Sequence, residues 1–196
     1  MKPMPGTIAS QFGRLARSAD NASPLLRLAG IGAVLVALTL VTPFAFETAG
    51  DNAFIALTIL AGLLTIIATH LAERAPPERT LWLVFGVGIF LRAYVLLFDP
   101  LLSSDIYRYV WGGRVQAAGI NPYRYFPAHE ALAFLRDGRI FPHINRADFA
   151  VTIYPPVAQF FFLIVTWIGE SVTIMRLALL GCESVTVALI MLLLRV

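Results

Sequence analysis

A chain of 196 residues, 58% hydrophobic and only 14% charged, does not read as a water-soluble domain, because apolar runs of this length belong in a bilayer. The net charge of +3 comes from basic residues scattered among acids, which excludes a nucleic-acid-binding face. One cysteine, Cys182, excludes an internal disulfide.

Residues 1–24 form a polar, basic tail with Lys2, Arg14 and Arg17 against Asp20. Ile8, Phe12 and Leu15 recur at helical spacing. They suit either a short helix on the membrane surface or a partly disordered tail. The apolar run that follows is too long for a signal-peptide core, so a retained first span is expected. Asn21-Ala22-Ser23 matches a glycosylation sequon, but the orientation argued below puts it on the wrong side.

Five apolar segments follow, near Leu25–Phe46, Ala53–Leu71, Leu81–Phe98, Pro155–Ile168 and Val172–Leu194. Backbone inside lipid must satisfy its own hydrogen bonds, so each segment is expected to be a helix. The fold class expected is all-α, a polytopic bundle of about five spans. Its parts are a cytoplasmic tail (1–24), spans 1–3 (25–98), an outer loop (99–154) and spans 4–5 (155–196). Lys2, Arg14, Arg17 and Arg27 precede or open span 1. The turn at Glu47–Asn52 carries two acids and no base, and the turn at Glu73–Arg79 carries Arg74 and Arg79. The positive-inside rule then places the N-terminus in the cytoplasm and residues 99–154 outside.

That outer loop carries six arginines, against the usual trend, and a need to meet phosphate explains them. Its richest stretch is Ser103–Tyr125, SSDIYRYVWGGRVQAAGINPYRY. Ser103 or Ser104 suits a helix N-cap and Gly119 a helix stop. Between them Asp105, Tyr109 and Gly112 share one face, with Arg108 beside them, while Tyr107, Trp111 and Arg114 form another stripe. Gly112-Gly113 lowers helix propensity but lets a bulky group approach the backbone. Asn121-Pro122 turns the chain. A second short helix is expected over Ala128–Asp137, and Tyr154-Pro155-Pro156 opens the fourth span.

These residues resemble a family. The ordered set S-D-I-Y-R-Y-x-W-x-G-R-V, A-A-G-I-N-P-Y and I-Y-P-P-x-A-Q is similar to multi-spanning, polyprenyl-phosphate-sugar-dependent glycosyltransferases of the GT-C type. The bacterial mannosyltransferases of lipoglycan assembly are the nearest in pattern, and the luminal GPI-anchor mannosyltransferase is more distant. The resemblance covers roughly Leu91 to Gln159. It implies transfer of a sugar, mannose by the nearest pattern, from a polyprenyl-phosphate donor to a glycan or glycolipid acceptor, with inversion, at the outer face of a bacterial inner membrane. It also implies that Asp105 stands at the reaction centre. Relatives often carry Trp-Asp-Gly-Arg where this chain has Trp111-Gly112-Gly113-Arg114, so a second acid is missing. They also run to about twice the length. The chain is therefore expected to be an N-terminal half, a truncated copy, or one piece of a split protein whose missing spans a second chain supplies.

The residues allow a concrete chemistry. A phosphate leaving group needs cations rather than a general acid, and the acceptor hydroxyl needs one carboxylate as base. Asp105 fits the base, or is only a charge favourable to a helix N-terminus. Arg108 suits the donor phosphate or holds the carboxylate. Arg114 and Arg92 suit the phosphate, or act as interfacial anchors. Tyr109, Trp111, Asn121, Tyr123 and Tyr154 suit substrate contact, or for the aromatics an interfacial belt and for Tyr154 a helix start. Glu183, an acid inside the last span seven residues after Arg176, suits a functional role or a structural pair with Arg176 or a polar neighbour. His129 and His143 lack metal-ligand spacing. No cofactor or metal is expected from the motifs, and dependence on a divalent ion is left open. The rival reading is a non-catalytic membrane subunit that keeps the family's loop as a scaffold.

Overall fold

The computed structural model describes residues 7–100 and 103–194, with side chains described from Pro24 onward. The proposed surface face of Ile8, Phe12 and Leu15, and the sequon, lie outside the described side chains. Regular structure among the described residues is entirely helical. The chain divides into two units, Met1–Phe98 and Asp99–Val196.

The first unit contains α1 (Thr7–Ala72) and α2 (Pro77–Val95). The apolar part of α1, Pro24–Ala72, has 49 residues. A straight helix of that length would reach about 70 Å, over twice a hydrocarbon core. Gly50 breaks it, with φ 67° and ψ −156°, a conformation essentially restricted to glycine. The sequence pattern predicts a turn over Glu47–Asn52, yet helix resumes immediately after this single residue. The two arms fold back on one another. Phe46 meets Phe54 edge to face across the break, with ring centroids 6.1 Å apart. Leu28, Gly32 and Leu35 of one arm share an apolar crevice of about 250 Å³ with Thr65, Ala68 and Ala72 of the other and with Leu83 and Val87 of α2. The Tyr94 hydroxyl donates to the Leu40 carbonyl at 2.9 Å.

Threonines in α1 satisfy themselves. Thr39, Thr42, Thr58 and Thr65 each donate to the carbonyl four residues back. Bonded this way, the hydroxyl needs no partner outside its own helix.

The second unit is built on α3 (Asp105–Ala117), α4 (Pro156–Ile168) and α5 (Val172–Leu194), with short 3-10 turns at Glu130–Leu135 and Phe141–His143. The turn at Glu130–Leu135 stands where a second short helix was expected. His129 precedes it, its Nδ1 accepting from the Ala131 amide at 3.1 Å. Gly119, at φ 76°, ends α3, and the Ile120 amide returns to the Val115 carbonyl at 3.1 Å. The core is Val110, Trp111, Val115, Leu132, Ile140, Ile144, Phe162, Val165 and Met175. Helix α3 packs on both α4 and α5, so the stretch read as an outer loop folds together with the last two apolar helices.

The α3–α4 contact is unusually close. A Cβ on Gly113 would clash with the Thr166 hydroxyl and lie 2.5 Å from the Phe162 carbonyl oxygen, and one on Gly112 would lie 2.8 Å from Gln159 Oε1. Gln159, 2% exposed, is fully engaged there. It accepts from Gln116 Nε2 at 3.0 Å and donates to Thr152 Oγ1 at 2.6 Å. A buried amide without these partners would cost stability.

Among the described residues, two helices are long and apolar enough to cross a membrane: the Pro24–Ala72 part of α1, and α5. Helix α2 has 19 residues but carries Glu78, Arg79 and Arg92, and α4 has only 13 residues.

Candidate functional site

The first turn of α3 opens onto a cleft of about 350 Å³. Asp105 and Arg108 line it with Ser103 and Ser104. The opposite wall is Asn145, Arg146, Ala150, Val151, Ile153 and Tyr154. Ser104 is the N-cap of α3 without a side-chain capping bond. The Ser103 hydroxyl instead accepts from the Asp105 amide at 3.2 Å.

Asn145 organises the carboxylate. Its Nδ2 donates to Asp105 Oδ1 at 2.9 Å, while its Oδ1 accepts from Arg108 Nε at 2.8 Å. The amide therefore relays between cation and anion. The Asn145 bond is the largest influence holding the Asp105 carboxyl below its ordinary range; partial burial opposes it, and Ser103, Tyr154 and Arg108 add to it. The sequence suggests Arg108 as the group that keeps Asp105 ionised, but its effect here is the smallest of these. Burial pushes the Tyr154 phenol up, and the neighbouring carboxylate adds to this. The phenol thus stays protonated, able to donate to Asp105.

Arg108 is largely spent on the opposite wall. Nε and Nη2 donate to the Asn145 carbonyl at 3.0 and 2.8 Å, and Nη2 also reaches the Arg146 and Ala150 carbonyls, both at 3.1 Å. Burial lowers its pKa, opposed by Tyr154 and Asp105.

The other residues proposed from sequence fall in different places. Tyr109 stacks on Phe162 at 4.6 Å and meets Tyr154 edge to face at 5.0 Å, so it backs the cleft wall. Tyr154 itself lines the cleft. Tyr123 donates through its hydroxyl to the Tyr154 carbonyl at 2.6 Å and so braces that wall. Asn121 makes a turn, its Oδ1 accepting from the Tyr123 amide at 2.9 Å. Trp111 is 4% exposed and packs against Phe141; it belongs to the core rather than to an interfacial belt.

Arg114 is not brought to the cleft. Its Nε donates to Glu170 and its Nη2 to Asp137, both at 2.7 Å, and its Nη1 to the Leu135 carbonyl at 3.0 Å. Arg92 lies on α2 in the first unit, where it donates to the Gly88 carbonyl at 3.2 Å.

The Arg114 bridge gives a stability prediction. Burial alone would raise the Asp137 carboxyl, but hydrogen bonds from Arg114 and from the Ile140 and Phe141 amides hold it far below the usual range. A depressed carboxyl adds stability above its unfolded pKa near 3.9 and loses it as pH falls through the folded value. Arg114→Met is expected to lower stability by about 1–2 kcal/mol at neutral pH and to flatten the loss below about pH 4. Thermal unfolding in detergent across that range measures both effects.

Asn145 and Arg146 were absent from the residues proposed from sequence. Their only local signal is a polar pair in a short loop, some forty residues beyond Asp105. Among the described residues no three of His, Cys, Asp and Glu converge as a metal site would require. Comparison with protein-family models, with curated proteins and with solved structures finds no match.

Proposed function

We propose that the chain acts in sugar transfer from a polyprenyl phosphate, as the resemblance in Ser103–Tyr125 and Ile153–Gln159 implies. One observation carries this reading: an ionised carboxylate, Asp105, faces an open polar cleft at the start of α3, with a guanidinium in the same network. In this reading the acceptor hydroxyl oxygen attacks the anomeric carbon from the side opposite the phosphate. The O–H proton passes to Asp105, and the bond from the anomeric carbon to the phosphate oxygen breaks, its electron pair leaving with the phosphate. The configuration inverts. The five apolar segments are then spans of a bacterial inner membrane, with the N-terminus cytoplasmic and the cleft outside. The lipid-linked donor, the acceptor and a second chain supplying further spans are its partners.

Membranes carrying the full chain, supplied with radiolabelled polyprenyl-phosphate mannose, test the reading directly. Label is expected to move into a glycolipid acceptor above the level of membranes without the chain. Equal transfer in both would overturn the enzyme reading and favour the scaffold.

Asn145→Ala separates positioning from mere folding. Removing the largest influence on Asp105 raises its pKa toward the ordinary carboxylate value. The acid limb of the pH profile for transfer then moves to higher pH, since the base must be ionised. An unmoved limb in a folded variant would show that Asn145 does not tune the carboxylate.

A further inference from the structure

We infer that Arg146, rather than Arg108, is the residue that takes a phosphate group at the cleft. This deepens the sugar-transfer reading and rests on it for the reason a phosphate would be there.

Arg108 is the poorer anion contact because three backbone carbonyls and the Asn145 side chain already accept from its Nε and Nη2, which leaves only Nη1 to meet a ligand. A guanidinium has five donors in a fixed fork, and turning it toward a ligand would leave those acceptors unpaired. Arg146 lines the same cleft and is exposed. Among the described residues, no hydrogen bond or ion pair holds its side chain, and none joins it to Asp148 two residues on.

The backbone at Arg146 is special too. At φ 51° it is the one non-glycine residue with positive φ among those described, a left-handed conformation with a steric cost for arginine. Two bonds pin it there: the Arg146 carbonyl accepts from Arg108 Nη2 and from the Ala150 amide, both at 3.1 Å. Arg108 thus fixes the loop that presents Arg146. The charges do not balance, because two guanidiniums face one carboxylate across the cleft. Arg146 is near enough to Arg108 to disfavour its protonation. An anion placed against Arg146 relieves that repulsion, and the first turn of α3 adds a favourable dipole. A phosphate is suited to the planar fork of arginine.

The test is binding without turnover, on the full chain in detergent, by calorimetry. The probes are farnesyl phosphate, inorganic phosphate and, as an uncharged control, farnesol. Arg146→Asn removes the cation with a residue that tolerates the left-handed backbone, and Arg146→Gly does so with no steric cost there. Both are expected to weaken farnesyl phosphate about ten- to a hundredfold and to leave farnesol unchanged. Arg139→Gln, away from the cleft, is expected to bind like the unaltered chain. If inorganic phosphate weakens in parallel, the site reads free phosphate; if only farnesyl phosphate responds, it reads a lipid headgroup; either outcome supports the assignment. Unchanged farnesyl phosphate affinity in both Arg146 variants, or equal weakening of farnesol, would overturn it. A chain that binds through Arg146 yet transfers no sugar would refute the transfer reading and leave the phosphate site standing.

Discussion

If the chain transfers sugar as proposed, Asp105→Asn is expected to lower that transfer by about 10²–10⁴-fold, the usual contribution of a positioned general base. At 1.36 kcal/mol per decade this is about 3–5 kcal/mol of barrier. The substitution is well suited to the site because it spares the scaffold. An asparagine Oδ1 can still accept from Asn145 Nδ2, as Asp105 does now at 2.9 Å, and the Arg108 bonds to the opposite wall need no carboxylate. What is lost is the capacity to take a proton. Stability should move by well under the catalytic loss, because the carboxylate is only partly buried. The measurement is initial rate in membranes normalised to the amount of folded chain. Turnover within a few-fold of the unaltered protein would remove Asp105 from the reaction, and with it the reason to place chemistry in this cleft.

Gly113→Val is expected to be strongly damaging to the second unit, at about 3 kcal/mol. Valine is a poorer helix former than alanine yet better than glycine, so propensity alone would favour the change slightly. Sterics decide the sign. The first added carbon meets the Thr166 hydroxyl and the Phe162 carbonyl, and the latter is backbone that cannot rotate away. Thr166 already donates to that carbonyl at 2.8 Å, so the local bond would break as α3 and α4 part. Gly112→Ala provides the contrast. Its Cβ would press on the end of the Gln159 side chain, which can give way at the cost of its bonds to Gln116 and Thr152. The order Gly113→Val well above Gly112→Ala, read from the midpoint of thermal unfolding in detergent, checks the geometry. Equal effects would mean that the two helices do not meet along this pair.

The parts of the fold that depend on local pattern were legible before any coordinates. Hydropathy marks the arms of α1 and the length of α5, Ser103 or Ser104 and Gly119 bracket α3, and the Gly112-Gly113 pair announces a close approach without naming what approaches. The turn over Glu47–Asn52 was legible as a position, but its economy was not. A single residue reverses the direction because glycine can adopt what the others cannot.

The site was legible in half. Asp105 and Arg108 share a helix turn, so spacing alone puts them together. Asn145 and Arg146 meet them only through tertiary packing, and no periodicity in a short irregular loop records that. Arg114 was misleading for the same reason. Beside Trp111 on a helix it looks like a cation awaiting phosphate, yet Asp137 and Glu170, distant in the chain, converge on it. Trp111 likewise suits an interface by type, and burial against Phe141 places it otherwise.

The bonds of Arg108 to residues 145–150 bear on how a mutational scan of this protein would have to be interpreted. Deleting that side chain would unmoor the segment that carries both the partner of Asp105 and the exposed guanidinium beside it. A dead Arg108 variant would therefore say little about ligand contact, and guanidinium salts added to the assay should fail to restore it. Rescue of that kind is expected only at a position whose side chain meets the ligand and holds nothing else in place.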